Sequence, residues 1–200
     1  MTVGEVLELA KFRLKNIASV KDSKVLLSAI NLGVSDLYAR FNLRFGSETI
    51  LIHTDLAIYE LRNEDVNMLL AVYDKTGREL RQSDTLYSDD FEYKILNYRE
   101  FMLRHLFDGY LYAVYKASPI KLVDVNDIVD LPDAMISALT TYMAYLIENV
   151  INTTGRYGQV KTEPSFYIQI YEKECQSLIN RGYVGSLQNS SLAIQEKGYR

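Results

Sequence analysis

The stretch LVDVNDIVDLPDAMISALTTYMAYLIENVI, from Leu122 to Ile151, decides what kind of chain this is. After Pro132 it is almost continuously apolar, so it has to be a membrane span, the wall of a cofactor pocket or the centre of a protein core. On a helical wheel Met135, Leu139, Tyr142, Met143, Leu146 and Val150 share one broad face, while Ser137, Thr141, Ala144 and Glu148 form the opposite edge. A bilayer span is apolar all round for about 20 residues. A seam of hydroxyls ending in a carboxylate breaks that requirement, and its small residues let a second helix approach closely. The stretch therefore predicts a core helix, with Asp130 as N-cap and Pro132 in the first turn, where proline's missing N–H costs nothing.

Working outward, the N-terminus repeats the helical pattern. Thr2 and Glu5 have capping-box spacing, and Val3, Val6, Leu7, Ala10, Leu14 and Ile17 recur on one face. Asp22 and Ser23 open a second helix whose stripe is Leu26, Ile30, Gly33, Leu37 and Phe41, with Gly46 expected to stop it. After a loop from Gly155 to Gly158, Pro164 opens a last helix with Tyr167, Tyr171, Cys175 and Leu178 inward, and Gly182 ends it. Between these helical parts the period changes: TILI, LAIYEL, MLLAVY, FEYKIL and YLYAVYKA read as strands, with a hairpin turn at Asp74–Gly77. The stretch NYREFMLRHLF fits either a short helix or an irregular crossing. The expected fold is thus α+β, mainly α. A four-helix core, made of an N-terminal hairpin and two C-terminal helices, occupies 1–46 and 124–182. A β-rich insertion spans 47–123, and an extended C-terminal tail spans 183–200.

Composition bounds the function. The chain of 200 residues is 48% hydrophobic and 24% charged, an ordinary globular balance. Its 16 Tyr, 7 Phe and no Trp are less ordinary. Tyrosine joins an apolar ring to a polar tip, which suits surfaces buried in an assembly but wet at the rim. A net charge of -4 argues against a protein that holds nucleic acid by neutralising phosphates. Lys11, Arg13, Lys15, Lys21 and Lys24 form the densest basic run, but apolar positions interrupt it and it reads as a solvated helix face. The single cysteine, Cys175, excludes an internal disulfide and fits a reducing compartment. MTVGEVLELA carries acids rather than a basic leader region, so no secretory signal is expected.

Catalytic constellations are missing from the pattern. His53 and His105 have no neighbours at ligand spacing, and Cys175 falls on an apolar helix face. Asp124, Asp127, Asp130 and Asp133 repeat every three residues but lack the glycine and terminal glutamate of a calcium loop; loop solvation and capping explain them. GRYG has neither the spacing nor the preceding strand of a phosphate loop. No cofactor, no metal and no enzymatic activity are expected.

The order of helical hairpin, β-rich insertion and closing helices resembles the head-to-tail adaptors of short-tailed bacteriophages, the tail tubular protein A or gatekeeper group. Three features carry the resemblance. A β-segment ends in Tyr115-Lys116-Ala117-Ser118-Pro119 and descends through an acidic loop to Leu131-Pro132. The helix after it alternates small residues and tyrosines: Ala138, Tyr142, Ala144, Tyr145. A final helix with Tyr171 and Cys175 ends at Gly182. The resemblance covers roughly the C-terminal 90 residues, and the N-terminal hairpin only in order and length.

Such adaptors form a ring, commonly twelve-fold, below the portal; they extend the DNA channel and anchor the tail nozzle and fibres. The resemblance therefore implies a virion neck protein assembled in the host cytoplasm, with the portal, tail proteins and further copies of itself as partners. Genomic DNA would pass without sequence-specific binding, and no membrane is involved. Leu187, Leu192, Ile194 and Tyr199 become the portal-docking candidates. The Ser137, Thr141, Ala144 and Glu148 edge becomes a contact with a neighbouring subunit or with the chain's own core. The alternatives are a small ligand-binding or regulatory helical module, and a neck or completion protein of a long-tailed phage.

Overall fold

A computed structural model describes residues 1–13, 23–53, 57–84, 92–103, 109–154 and 164–183. The chain divides into two compact units, Met1–Leu43 with Pro119–Arg200, and Arg44–Ser118. Leu14, Lys15, Ile17, Lys21, Asp22, His105 and the Gly155 to Gly158 loop lie outside the described residues, as does the side chain of Val150.

The first unit holds α1 (Val3–Arg13), α2 (Ser23–Arg40), a 3-10 turn (Asp133–Met135), α3 (Ile136–Thr154) and α4 (Pro164–Asn180). The capping box forms at the start of α1: the Thr2 N–H donates to Glu5 Oε2 at 2.8 Å and the Glu5 N–H donates to Thr2 Oγ1 at 3.2 Å. The end of α4 closes as a Schellman motif. Gly182, at φ +94°, lets its own N–H reach the Ile179 carbonyl while the Tyr183 N–H reaches that of Leu178. α3 packs against α1, α2 and α4. Gly33 makes the α2 contact close, because a Cβ there would sit 2.6 Å from Leu139 Cδ1.

The expected fold class is corrected. The molecule is not mainly α around a four-helix core: seven strands in two sheets accompany the four helices among the described residues. The irregular segment before α3 adds Leu122, Val129 and Leu131 to the helical unit's buried interior. That segment is pinned by the N-terminus. The Val3 and Gly4 N–H groups donate to Asp127 and Val125 carbonyls at 2.9 and 2.8 Å, and the Val129 N–H donates to the Met1 carbonyl at 2.9 Å. A segment tied by backbone bonds shows no apolar period, which is why its share of the core was invisible in the pattern. Pro132 precedes the 3-10 turn, and no side chain caps that turn. The Asp130 carboxylate instead accepts the Tyr38 hydroxyl at 3.0 Å.

The second unit is β throughout its described elements. One sheet has the order β1-β7-β3 (Phe45–Ile52, Gly109–Ala117, Val66–Tyr73), antiparallel with bulges in β3. The other has the order β2-β6-β5-β4 (Ile58–Glu60, Glu100–Leu103, Glu92–Ile95, Arg81–Gln82), antiparallel except for the parallel β4–β5 pair. The stretch NYREFMLRHLF thus supplies a strand, β6. Ile50, Leu69, Val72, Leu111 and Ala113 from the first sheet and Tyr59, Tyr93, Phe101 and Leu103 from the second bury into one core. Phe101 is its hub, stacked on Tyr59 at 5.9 Å and edge-on to Tyr93 at 6.1 Å. In the turn after β3, Asp74 Oδ1 accepts the Thr76 and Arg78 N–H groups and the Thr76 hydroxyl, and Gly77 takes φ +83°.

Gly46 does not stop α2, which ends at Arg40; it lies within β1 opposite Tyr115. A Cβ at this position would enter the Tyr115 ring. That ring cannot step aside, because its hydroxyl accepts from Asn63 Nδ2 at 2.7 Å and donates to Asp65 Oδ1 at 3.2 Å. Gly46→Ala should therefore lower the free energy of unfolding by about 1–3 kcal/mol, the usual cost of overpacking. Urea titration of both proteins measures it, and an unchanged midpoint contradicts the assigned packing.

Candidate functional site

The small-residue edge of α3 meets α4. The Ser137 hydroxyl donates to Glu174 Oε1 at 2.6 Å, and the Thr140 and Thr141 hydroxyls turn back to the Ser137 carbonyl at 2.9 and 3.0 Å. Ala144 is buried, and Glu148 is 5% exposed. The Glu148 carboxylate adds to the effect of burial in raising the Tyr167 phenol, so this end of the edge also faces α4.

A second polar cluster ties α2 to α4 and was not foreseen. Arg40 forks onto Glu172, Nη1 to Oε2 at 2.8 Å and Nη2 to Oε1 at 2.7 Å, while its Nε donates to Asp36 Oδ2 at 2.7 Å. The Tyr171 hydroxyl donates a short hydrogen bond to the same Asp36 oxygen, and the guanidinium lies 4.9 Å from the Tyr171 ring centre. Glu172 raises the Arg40 pKa most, with desolvation opposing it and Asp36 helping. Burial, then the bond to Asp36, pushes the Tyr171 phenol far up. The Asp36–Arg40 spacing of four residues was a legible signal. Glu172 lies 132 positions away, and no local rule pairs it.

The acidic run is used by its own loop. Asp127 accepts the Val123 and Asp124 N–H groups at 2.7 and 2.9 Å, which holds its carboxyl below the usual range, and Asp124 accepts the Asn126 N–H and side-chain amide. Among the described residues no group of three or more His, Cys, Asp or Glu could hold a metal ion. His53 uses its backbone, exchanging hydrogen bonds with the Tyr59 hydroxyl. Cys175 is buried and its thiol is pushed up by desolvation, so little thiolate forms at neutral pH. No helix among the described residues is long and apolar enough to cross a membrane.

Several large apolar side chains are presented outward. Phe12, Ile120, Val123 and Ile128 in the helical unit and Phe45 and Leu51 in the β unit are all more than half exposed, although each unit has a filled core. Leu51 sits opposite Tyr110 on the outer face of the β1-β7-β3 sheet, where Tyr110 and Tyr112 meet edge-on at 5.3 Å. Leu187, Leu192, Ile194 and Tyr199 lie outside the described residues.

No family model matches the chain, and no curated protein does either. Among solved structures it is similar to a chain from "Neck of native GTA particle computed with C12 symmetry", at 15% identity and a TM-score of 0.28, covering 87% of this chain and 91% of the other. It is also similar to a chain from "Neck of empty GTA particle computed with C6 symmetry", at 13% identity and a TM-score of 0.25, covering 78% and 80%.

Tyr171→Phe keeps the ring and removes the bond to Asp36. It should cost about 1.5–3 kcal/mol at neutral pH, the range for a hydrogen bond to a charged group. The pH dependence has a fixed sign. A phenol raised in the folded state keeps its proton where the unfolded chain has released one, so stability is full below pH ~10 and falls as pH rises above it. Tyr93, pushed up to about 12 mainly by burial, acts in the same direction. The wild type should therefore lose stability above pH ~10, and Tyr171→Phe should lose it less steeply. Denaturant titrations at neutral and alkaline pH check both, and parallel slopes contradict the role given to Tyr171.

Proposed function

We propose that this chain is a structural adaptor of a bacteriophage neck, forming a ring below the portal that extends the DNA channel and anchors the tail. One observation carries the reading. Two units complete their own cores and still leave large apolar side chains in water, Phe12 at 89% and Ile128 at 73% exposure among them. Exposed apolar residues are ordinary one by one; in an assembly they would supply the contact surface that the sequence resemblance calls for. The sequence resemblance names the assembly, and the tyrosine-rich composition suits contacts that are apolar at the centre and wet at the rim.

In this role Leu187, Leu192, Ile194 and Tyr199 dock on the portal, other surfaces receive the tail nozzle or fibres, and no catalytic step is assigned. The net charge of -4 supports a channel that lets DNA through rather than gripping it.

Mixing the full chain with its cognate portal and imaging the product by electron microscopy tests the proposal. A symmetric ring of added density on the portal is expected, and portals that stay bare at every concentration overturn it. Deleting Ser186 to Arg200 should leave the circular dichroism spectrum and melting profile unchanged and abolish portal binding. Binding that survives the deletion removes the docking role from the tail.

A further inference from the structure

The outer strands of the two sheets in the β unit end their edges differently. β2 has three residues and β4 has two, so neither offers a row long enough to template another strand. β3 is bulged between Val66 and Met68 and between Leu69 and Ala71, and its end folds back through a Tyr73–Glu79 bridge. β1 carries none of these devices. It runs for eight residues in unbroken register with β7, and it holds no proline, lysine or bulge.

Which backbone groups are open follows from the ladder. The Ala117 N–H donates to the Arg44 carbonyl at 3.0 Å, so Arg44 faces β7, and by alternation Gly46, Glu48, Ile50 and Ile52 do too. Phe45, Ser47, Thr49 and Leu51 therefore turn their N–H and C=O groups to the other side. His53, next in that series, has both groups taken by the Tyr59 hydroxyl. From Phe45 to Leu51 no bond reaches this edge among the described residues. The same four side chains are exposed, Phe45 and Leu51 by more than half. Glu48 is the strand's one charge, and its carboxylate is held by the Arg62 and Asn63 N–H groups.

We infer that β1 pairs antiparallel with β1 of a second copy, joining two three-stranded sheets into one across a two-fold axis at Thr49. Regularly spaced N–H and C=O groups are complemented by an extended backbone. A second copy brings that backbone already folded and open over the same length, so the pairing orders no new segment. An antiparallel edge is also self-complementary, as a two-fold contact requires. Charge sets the register. Of the two registers that overlap most of β1, one is centred on Glu48 and puts two carboxylates directly opposite, which is destabilising. The other is centred on Thr49: it sets Thr49 opposite Thr49, Ser47 opposite Leu51 and Glu48 opposite Ile50. This pairing belongs to the free chain and does not rest on the neck reading, since a two-fold contact ends at a pair whereas a ring needs contacts that run head to tail.

Sedimentation velocity of the full chain over a concentration series tests the contact. The wild type should pass from monomer to dimer as concentration rises and go no further. Thr49→Pro removes an N–H that β7 does not use and puts the proline ring on the axis, so the dimer should be lost while the urea midpoint shows the fold kept. Thr49→Lys, which leaves the backbone untouched, sets two ammonium groups opposite each other and should need about tenfold higher concentration to dimerise. Mild oxidation of Thr49→Cys should link two chains, because directly paired Cα atoms lie ~5.5 Å apart, within disulfide reach. Ser47→Cys, opposite Leu51, should stay unlinked, and the buried Cys175 is common to both. A wild type that stays monomeric or grows beyond a dimer overturns the inference. So does a folded Thr49→Pro or Thr49→Lys that dimerises like the wild type, or a linked dimer from Ser47→Cys with none from Thr49→Cys.

Discussion

α3 must be covered on nearly every side, and the rest of the helical unit follows from that requirement. Met135, Ile136, Ala138, Leu139, Met143 and Ile147 are all buried, while on the polar edge Ser137 bonds to Glu174 of α4 and Thr141 turns back to its own helix. One partner helix cannot cover so wide an apolar surface. The chain therefore brings α1 and α2 from its beginning and α4 from its end onto the same helix, and Gly33 removes the side chain that would hold α2 away. The Arg40 fork to Glu172 and the Tyr171 bond to Asp36 then join α2 directly to α4, two elements that meet only because α3 lies beneath both. A charged pair this exposed adds little stability, because solvent screens it and two long side chains must be held in one geometry.

Because both ends of the chain are committed to α3, the segment from Arg44 to Ser118 has to fold on its own resources. It does so with two sheets around Phe101, and Gly46 beneath the Tyr115 ring is the local condition for the β1–β7 pairing. Neither unit is short of core. The apolar residues each leaves outside are therefore not needed to fill either core.

Much of the helical unit was legible because capping and periodicity are local. Thr2 with Glu5, the α2 stripe, the α3 face and Gly182 were each fixed by residues within a turn or two of one another. Strands were visible as runs, but the balance between helix and strand was misjudged, since an insertion read as an appendage proved to hold a complete core. Gly46 was misread for a related reason: a glycine after a helical stripe is usually a stop, and only the pairing of Gly46 with Tyr115 across β1 and β7 shows why it is needed in a strand. The Arg40–Glu172 fork, the burial of Leu122 and Val129, and the exposure of Phe12 depend on contacts distant in sequence, which no window of neighbours encodes.

Site legibility was poorer still. The α3 edge was found, with its partner left open between the chain's own core and a neighbour; its hydroxyl and carboxylate are turned toward α4. The exposure of Leu9 and Phe12 was not legible because both lie off the core stripe of α1. The proposed neck role requires the chain to assemble on a portal. Native mass spectrometry of the full chain mixed with its cognate portal tests that most directly. One dominant complex in which a full ring of copies sits on each portal is expected, and spectra holding only free portal and single chains would contradict the proposed role.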